Sequence, residues 1–166
     1  MADGRALAEQ RGREGHLRVR GASVVERYFG DERGATDGKG WLPTGDLARI
    51  DASGNLIITG RAKDLIRSGG EWINPAEIEA LVGSLPDVVL AAVIGRADPK
   101  WGERPVLVVQ TRGSEPVSDE ALLAPLHGRV PSWWTPDEVI RVPRMHLSPT
   151  GKVDKARLRA EYGGDA

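Results

Sequence analysis

The sequence predicts an α+β fold, in which a β-rich stretch precedes a small domain of mixed helices and strands. Two observations support this class. Up to about residue 60, short segments alternate apolar and polar residues, as half-buried strands do. From about residue 75, helix-capping residues and apolar positions at helical spacing are interleaved with continuous apolar runs. The break near Gly60-Arg61 is the predicted boundary between the two parts.

The first part is predicted to contain strands and loops only. Its central feature is a β-hairpin, because two strand-like segments flank a five-residue loop that contains Gly54. The predicted elements are, in order, an exposed lead-in over residues 1–15, a short strand over 17–20, a glycine-rich charged loop over 28–40, and hairpin strands over 47–50 and 56–59.

The second part is predicted to be a three-stranded sheet with helices. Asn74 supplies an N-cap, Pro75 occupies the first helical position and Glu77 completes a capping box, so a helix is expected over 75–84. The other predicted elements are buried strands over 88–94 and 106–110, a helix capped by Ser118 and shortened or kinked at Pro125, a strand over 139–142, and a helix from Asp154 through Tyr162.

Composition excludes several classes of protein. The 166 residues suffice for one domain or two small ones. With 23 basic and 24 acidic residues the net charge is −1, which argues against a nucleic-acid partner. Zero cysteines exclude disulfides and thiolate chemistry, and the three histidines lack ligand spacing, so no metal site is predicted. Without a signal peptide or an apolar run of membrane-spanning length, we expect a soluble cytoplasmic protein with no membrane span.

Three short segments carry side chains or backbone suited to binding chemistry. Thr150-Gly151-Lys152 places a lysine after a glycine, where it can reach a phosphate or carboxylate, although the flanking residues do not form a P-loop. Thr44-Gly45-Asp46 places a carboxylate that can hold the two hydroxyls of a ribose. Ser68-Gly69-Gly70 can let a ligand pass close to the backbone. Taken singly, a solvated lysine, a turn aspartate and a tight turn explain these segments equally well or better.

Taken together and in order, these segments resemble three motifs of the adenylate-forming enzymes. This superfamily includes acyl-CoA synthetases, luciferases and peptide-synthetase adenylation domains, and the resemblance covers about residues 3 to 162. The motifs run over residues 40–47, 60–73 and 149–152. Residues 70–73, 99–105 and the segment Trp133-Trp134-Thr135-Pro136 look most like medium- and long-chain fatty acid–CoA ligases.

The resemblance implies a two-step reaction. A carboxylate attacks the α-phosphate of Mg·ATP to give acyl-adenylate and pyrophosphate, and the thiol of CoA then displaces AMP. Carried over position by position, Lys152 would be the catalytic lysine that bridges the carboxylate and the α-phosphate. Asp46 and Arg61 would bind the nucleotide, Lys63 would be the hinge residue, and Gly69 and Gly70 would flank the pantetheine tunnel.

The resemblance also implies a domain organisation. Residues 1–60 would be the tail of a large N-terminal AMP-binding domain, residues 61–64 the hinge, and residues 65–166 the small C-terminal domain. The family's phosphate loop and most of its adenine and acyl pockets would lie upstream. We therefore expect this chain to be inactive alone and to hold none of the substrates ATP with Mg²⁺, CoA or fatty acid by itself.

Other functions remain open from the sequence. One alternative is an adenylating domain that loads a carrier protein in place of CoA. Another is a standalone, non-catalytic module that binds a nucleotide or CoA or docks on a partner. A homodimer is also open, because strands that have lost their sheet neighbours can pair with a second copy. For Trp72 and Trp133-Trp134, packing and a ligand wall are both compatible with the pattern.

Overall fold

The computed structural model describes residues 10–113 and 117–164. The chain divides into two compact units, Met1–Lys63 and Asp64–Ala166. Residues 1–9 of the predicted lead-in lie outside the described residues. The division falls within a 3₁₀ turn, Ala62–Asp64.

The first unit contains a three-stranded antiparallel sheet. Its strands are β1 (Gly15–Val19), β2 (Leu42–Ile50) and β3 (Leu56–Arg61), with β2 in the centre. The predicted hairpin is confirmed as β2 and β3. Its loop is closed by Asp51, whose carboxylate accepts hydrogen bonds from the backbone and side-chain nitrogens of Asn55 at 2.8 and 3.0 Å. These bonds lower the pKa of the Asp51 carboxyl.

The second unit contains a five-stranded sheet. Its strands are β4 (Ile66–Ser68), β5 (Glu71–Ile73), β6 (Val88–Asp98), β7 (Gly102–Thr111) and β8 (Glu138–Arg141). The long strands β6 and β7 pair antiparallel, and β8 runs parallel to β7. The hairpin of β4 and β5 joins β7 through the pairing of Ser68 with Gly102.

The prediction of three strands in this unit was wrong, because the hairpin of β4 and β5 was missed. Each of these strands has three residues, which is too short for apolar alternation to be visible in the sequence. They are joined by Gly69 and Gly70, which form the turn between them. The α+β class itself is confirmed.

The helices of the second unit begin at the predicted capping residues. They are α1 (Pro75–Gly83), α2 (Asp119–Leu123) and α3 (Lys155–Tyr162). The side chains of Asn74, Ser118 and Asp154 each accept a hydrogen bond from a backbone N–H of the first turn, at 3.1 to 3.2 Å. As predicted, Pro125 shortens its helix, since α2 gives way to the 3₁₀ turn Ala124–Leu126. None of the described helices has the length and hydropathy needed to cross a membrane.

The core of the second unit lies on both faces of β6 and β7. Alternate residues of these strands enter two separate apolar clusters, which is why the sequence shows continuous apolar runs there. One cluster includes residues of α1 and α2, and the other includes Leu158 of α3. The strand residues of the first cluster are Val88, Val93, Leu107 and Val109, and those of the second are Ala92, Ile94, Val106 and Val108.

Candidate functional site

Asp46 and Arg61, the two residues expected to bind nucleotide, lie side by side in the first unit. They are cross-strand partners on β2 and β3, and Arg61 Nε lies 2.8 Å from Asp46 Oδ1. The backbone N–H of Asp46 donates to Thr44 Oγ1 at 3.1 Å, and Arg61 also reaches the carbonyl oxygen of Thr44. The Asp46 side chain is mostly covered, at 18% exposure, while Arg61 is half exposed. The structure thus presents one carboxylate in a fixed orientation.

Lys63 is exposed and lies in the 3₁₀ turn Ala62–Asp64. It is the last residue of the first unit. Asp64, the first residue of the second unit, forms an ion pair with Arg159 of α3. The chain is therefore tied to the body of the second unit immediately after Lys63.

Gly69 and Gly70 form the turn between β4 and β5, which we call the glycine turn. Both have a positive φ, at 59° and 90°, which is a backbone conformation that residues other than glycine rarely adopt. The N–H of Gly69 donates to the carbonyl oxygen of Trp101 at 2.8 Å, and a Cβ on Gly69 would lie 2.9 Å from Trp101 Cε3. A Cβ on Gly70 would meet open space. One side of the glycine turn is therefore backed by Trp101, and the other side is open.

We expect Gly69→Ala to displace the Trp101 indole, whereas Gly70→Ala leaves it in place. Both substitutions carry the strain of a positive φ, on the order of 1–2 kcal/mol, so Gly70→Ala is the matched control. Only the methyl group at position 69 collides with the ring. The tryptophan fluorescence spectrum should change more in Gly69→Ala than in Gly70→Ala. The free energy of unfolding should also fall further in Gly69→Ala. Identical spectra for the two variants would contradict this account.

Lys152 lies at the exposed end of a closed loop in the second unit. Leu147 and Val153 form a bridge at its base, and the N–H of Ser148 donates to the carbonyl oxygen of Lys152 at 2.7 Å. Asp154, which caps α3, donates its N–H to the carbonyl oxygen of His146 at 2.9 Å. The backbone that carries Lys152 is thus fixed against α3. Its ammonium group makes no ion pair or hydrogen bond with any other side chain in the part of the chain that the structure describes.

Lys155, three residues further on, has a different environment. Its Nζ lies 2.6 Å from Glu79 Oε1, and both side chains are about four-fifths buried. Glu79 also accepts a hydrogen bond from the N–H of Val93 at 2.6 Å. Burial raises the pKa of the Glu79 carboxyl, and the positive charge of Lys155 opposes that rise. Lys155 therefore joins α3 to α1, and of these two lysines only Lys152 is available to an anion.

Four tryptophans of the second unit differ in their exposure. Trp72, Trp101 and Trp133 are each about half exposed, whereas Trp134 packs against the core. Cations lie over two of the exposed rings, with Lys100 Nζ 4.6 Å from the centroid of Trp101 and the guanidinium of Arg67 6.0 Å from that of Trp72. Packing is thus the role of Trp134 but does not account for Trp72 or Trp133.

Sequence reasoning did not assign roles to Trp101 or Arg104, both of which contact the glycine turn or the strand before it. Both residues lie in the segment 99–105, whose likeness to fatty acid–CoA ligases does not indicate what its side chains contact. A separate cavity of about 1080 Å³ lies in the first unit and is lined by residues of β1 and β2 such as Arg18 and Pro43. None of the six predicted site residues lines it.

Comparisons with known proteins agree with the motifs. Residues 77–152 match the family described as the AMP-binding enzyme C-terminal domain. The chain is 40% identical over 160 residues to the 3-methylmercaptopropionyl-CoA ligase of Ruegeria pomeroyi and 41% identical over 162 residues to the medium-chain-fatty-acid–CoA ligase of Ectopseudomonas oleovorans. These matches cover 96% and 97% of this chain but 30% of each relative.

A solved structure gives the same result. It is the o-succinylbenzoate CoA synthetase (MenE) of Bacillus subtilis in complex with the acyl-adenylate intermediate OSB-AMP. The match has a TM-score of 0.85 and 32% identity, and it covers 100% of this chain and 34% of that one. The resemblance stated from the sequence is confirmed: the second unit contains an AMP-binding enzyme C-terminal domain, and the homologues of the chain are acyl-CoA ligases.

Proposed function

We propose that this chain is the C-terminal part of an ATP-dependent, AMP-forming acyl-CoA synthetase. The complete enzyme converts a carboxylic acid, ATP and CoA into acyl-CoA, AMP and pyrophosphate through an acyl-adenylate. Support comes from relatives named as CoA ligases that match nearly the whole chain at about 40% identity. The names of these and further relatives cover medium-chain, long-chain and aryl-acetic acids, and we propose a medium- to long-chain fatty acid as the substrate here.

The observation that carries the proposal is the contrast between Lys152 and Lys155. Lys155 neutralises a buried carboxylate, whereas Lys152 stands exposed on a backbone fixed by short hydrogen bonds. When the carboxylate attacks the α-phosphate, negative charge accumulates on the transferring group, and a positioned cation lowers the energy of that transition state. Lys152 is the catalytic residue in this proposal because its backbone is held in place and its ammonium group is not neutralised by a neighbouring carboxylate.

Asp46 and Arg61 are the proposed nucleotide-binding residues. A carboxylate can accept hydrogen bonds from both hydroxyls of a ribose. Arg61 fixes the orientation of Asp46 through the 2.8 Å contact, and its half-exposed guanidinium remains open to a further contact with ribose or phosphate. ATP enters with Mg²⁺ as a substrate of the complete enzyme, and the proposal assigns no metal ligand to this chain.

Gly69 and Gly70 are the proposed wall of the passage through which the thiol arm of CoA reaches the adenylate. The open side of the glycine turn, where a Cβ on Gly70 meets no atom, is the side available to that arm. Absence of side chains lets a ligand approach the backbone closely. The thiol then attacks the acyl carbon, and AMP leaves with the bonding electron pair.

Lys63 is the proposed hinge residue between the adenylation and thioester steps. A hinge requires a residue whose backbone dihedral angles can change, and proline fixes φ. We expect Lys63→Pro to spare adenylation and to slow acyl-CoA formation about tenfold or more. Lys63→Ala is the control, because it removes the side chain and leaves the backbone free. Normal rates in both half-reactions of the proline variant would exclude Lys63 as the hinge.

The function is tested with a hybrid enzyme. In it, this chain replaces the matching segment of the medium-chain-fatty-acid–CoA ligase of Ectopseudomonas oleovorans, to which it is 41% identical. We expect the hybrid to form acyl-CoA with saturation by CoA, whereas the relative without its segment does not. Loading of a carrier protein without saturation by CoA would support the alternative adenylating function. A hybrid that folds and binds substrates but makes no product would contradict the proposal.

We also propose a cytoplasmic location, which agrees with the absence of cysteine from the sequence. For a homodimer, the relevant surface is β3, an edge strand whose Leu56 and Ile58 are 53% and 61% exposed. Sedimentation of the chain at increasing concentration decides between a monomer and such a pair.

A further inference from the structure

The guanidinium of Arg104 is a hub in the second unit. Arg104 lies on β7, and its side chain is 16% exposed. It forms a bidentate salt bridge with Asp137, in which Nε lies 2.8 Å from Oδ2 and Nη2 lies 2.6 Å from Oδ1. Its remaining contacts are Nη1 to Ser68 Oγ at 3.1 Å, Nη1 to the carbonyl oxygen of Trp133 at 2.9 Å and Nη2 to that of Thr135 at 3.4 Å. These five hydrogen bonds match the five N–H donors of an arginine.

The first structure that this hub holds is the end of β4. Ser68 is the last residue of β4, is 5% exposed and directly precedes the glycine turn. Its backbone pairs with Gly102 of β7, and its hydroxyl contacts Arg104. The bond from Arg104 therefore fixes the residue from which Gly69 departs.

The second structure is the 3₁₀ turn Ser132–Trp134, which we call the tryptophan turn. No side chain caps the start of this turn. Arg104 instead binds carbonyl oxygens on both sides of Trp134, those of Trp133 and Thr135. Asp137 is held by the same guanidinium, which lowers the pKa of its carboxyl through the hydrogen bonds between them.

One side chain thus connects the glycine turn with the tryptophan turn, although 64 residues separate Gly69 from Trp133 in the sequence. We propose that Arg104 is a positioning residue for the thioester step, which holds the glycine turn in place through Ser68 and couples it to the tryptophan turn. This inference rests on the proposed function of the glycine turn. Its structural half, the coupling of the two turns, can be tested on the chain itself.

Arg96 offers a matched control. It is the cross-strand partner of Arg104 on β6 and forms an ion pair with Glu138, the neighbour of Asp137. Its Nε donates to the carbonyl oxygen of Tyr162 at 2.9 Å, so it connects the sheet to α3 and contacts neither turn. Arg96→Lys and Arg104→Lys both preserve charge and replace the planar five-donor group by a three-donor ammonium.

The first experiment measures amide hydrogen exchange by NMR in the 166-residue chain. The reporters are Gly69, whose N–H binds Trp101, and Thr135, whose N–H binds Ser132. We expect Arg104→Lys to accelerate exchange at both amides about tenfold. Ser68→Ala, a smaller change, should accelerate Gly69 alone. Arg96→Lys should leave both within about twofold. Acceleration at only one reporter in Arg104→Lys, or equal effects of the two arginine variants, would overturn the coupling.

The second experiment measures both half-reactions in the hybrid enzyme. We expect Arg104→Lys to raise the KM for CoA about tenfold in acyl-CoA formation from supplied acyl-adenylate, with adenylation within about twofold of the unsubstituted hybrid. Equal losses in both half-reactions of Arg104→Lys would overturn the positioning role. So would a raised KM for CoA with unchanged adenylation in Arg96→Lys. An unsubstituted hybrid that makes no acyl-CoA contradicts the proposed function and with it the positioning role, while the exchange experiment still decides whether Arg104 couples the turns.

Discussion

Lys152→Ala in the hybrid enzyme is expected to lower the rate of acyl-adenylate formation on the order of a thousandfold. The substitution removes the cation that we propose to offset negative charge on the transferring adenylyl group. Thioester formation from supplied acyl-adenylate does not pass through that transition state, so its rate should fall by less than about threefold. ATP–pyrophosphate exchange measures the first step, and single-turnover release of AMP measures the second.

The control for Lys152 is Arg144→Ala. Arg144 is an exposed cation that precedes the Lys152 loop, so its removal changes the net charge of the region equally. We expect it to leave both half-reactions nearly unchanged. Equal losses of both half-reactions in Lys152→Ala would refute the role assigned to Lys152. A comparable effect in Arg144→Ala would show that only the general charge of this region matters.

Lys155→Met is expected to lower the free energy of unfolding by about 3 kcal/mol. The substitution leaves the carboxylate of Glu79 buried between α1 and β6, with the N–H of Val93 as its remaining donor. The comparison is the double variant Glu79→Gln with Lys155→Met, which has no buried charge and keeps an acceptor for Val93. Chemical denaturation should show that the double variant regains most of the lost stability. A double variant no more stable than Lys155→Met would contradict the ion-pair explanation.

The same pair predicts a pH dependence. The pKa of Glu79 is raised in the folded state, so the folded chain binds more protons than the unfolded chain between an unfolded value of about 4.5 and the folded value. The contribution of Glu79 to stability is therefore full below pH 4.5 and declines as the pH rises through the folded pKa. Without Lys155 the pKa rises further. The loss of stability in Lys155→Met should therefore grow as the pH rises above the folded pKa of Glu79 in the unsubstituted chain. A loss that stays constant with pH would contradict this explanation.

Local signals in the sequence predict much of the fold. Helix capping involves only a few consecutive residues, so it can be predicted from the sequence. All three predicted caps, Asn74, Ser118 and Asp154, accept a backbone hydrogen bond at the start of a helix in the structure. The apolar runs of β6 and β7 identify strands buried on both faces. The hairpin of β4 and β5 was not predicted, because it joins the sheet by pairing with Gly102, more than thirty residues away. Pairing at that distance leaves no local pattern in the sequence.

The candidate site was only partly predictable for a similar reason. Lys152 and the glycine turn lie in short continuous motifs. Pairing of Asp46 with Arg61 depends on the register of β2 and β3, which a bulge shifts just after Leu47. The contacts of Arg104 join segments from three parts of the second unit, so no spacing rule reveals them. Motifs therefore pointed to the residues that we propose to act on substrate, whereas the proposed positioning residue became visible only in the structure.

The most direct test of the central claim is ATP–pyrophosphate exchange with a panel of fatty acids from butyrate to palmitate. It is measured on the 166-residue chain alone and on the hybrid enzyme, with the unmodified relative as the reference. We predict exchange above background for the hybrid and none for the chain alone, because the chain spans only about 30% of the length of the relatives it matches. Exchange by the chain alone, or none by a folded hybrid while the relative is active, would contradict the claim.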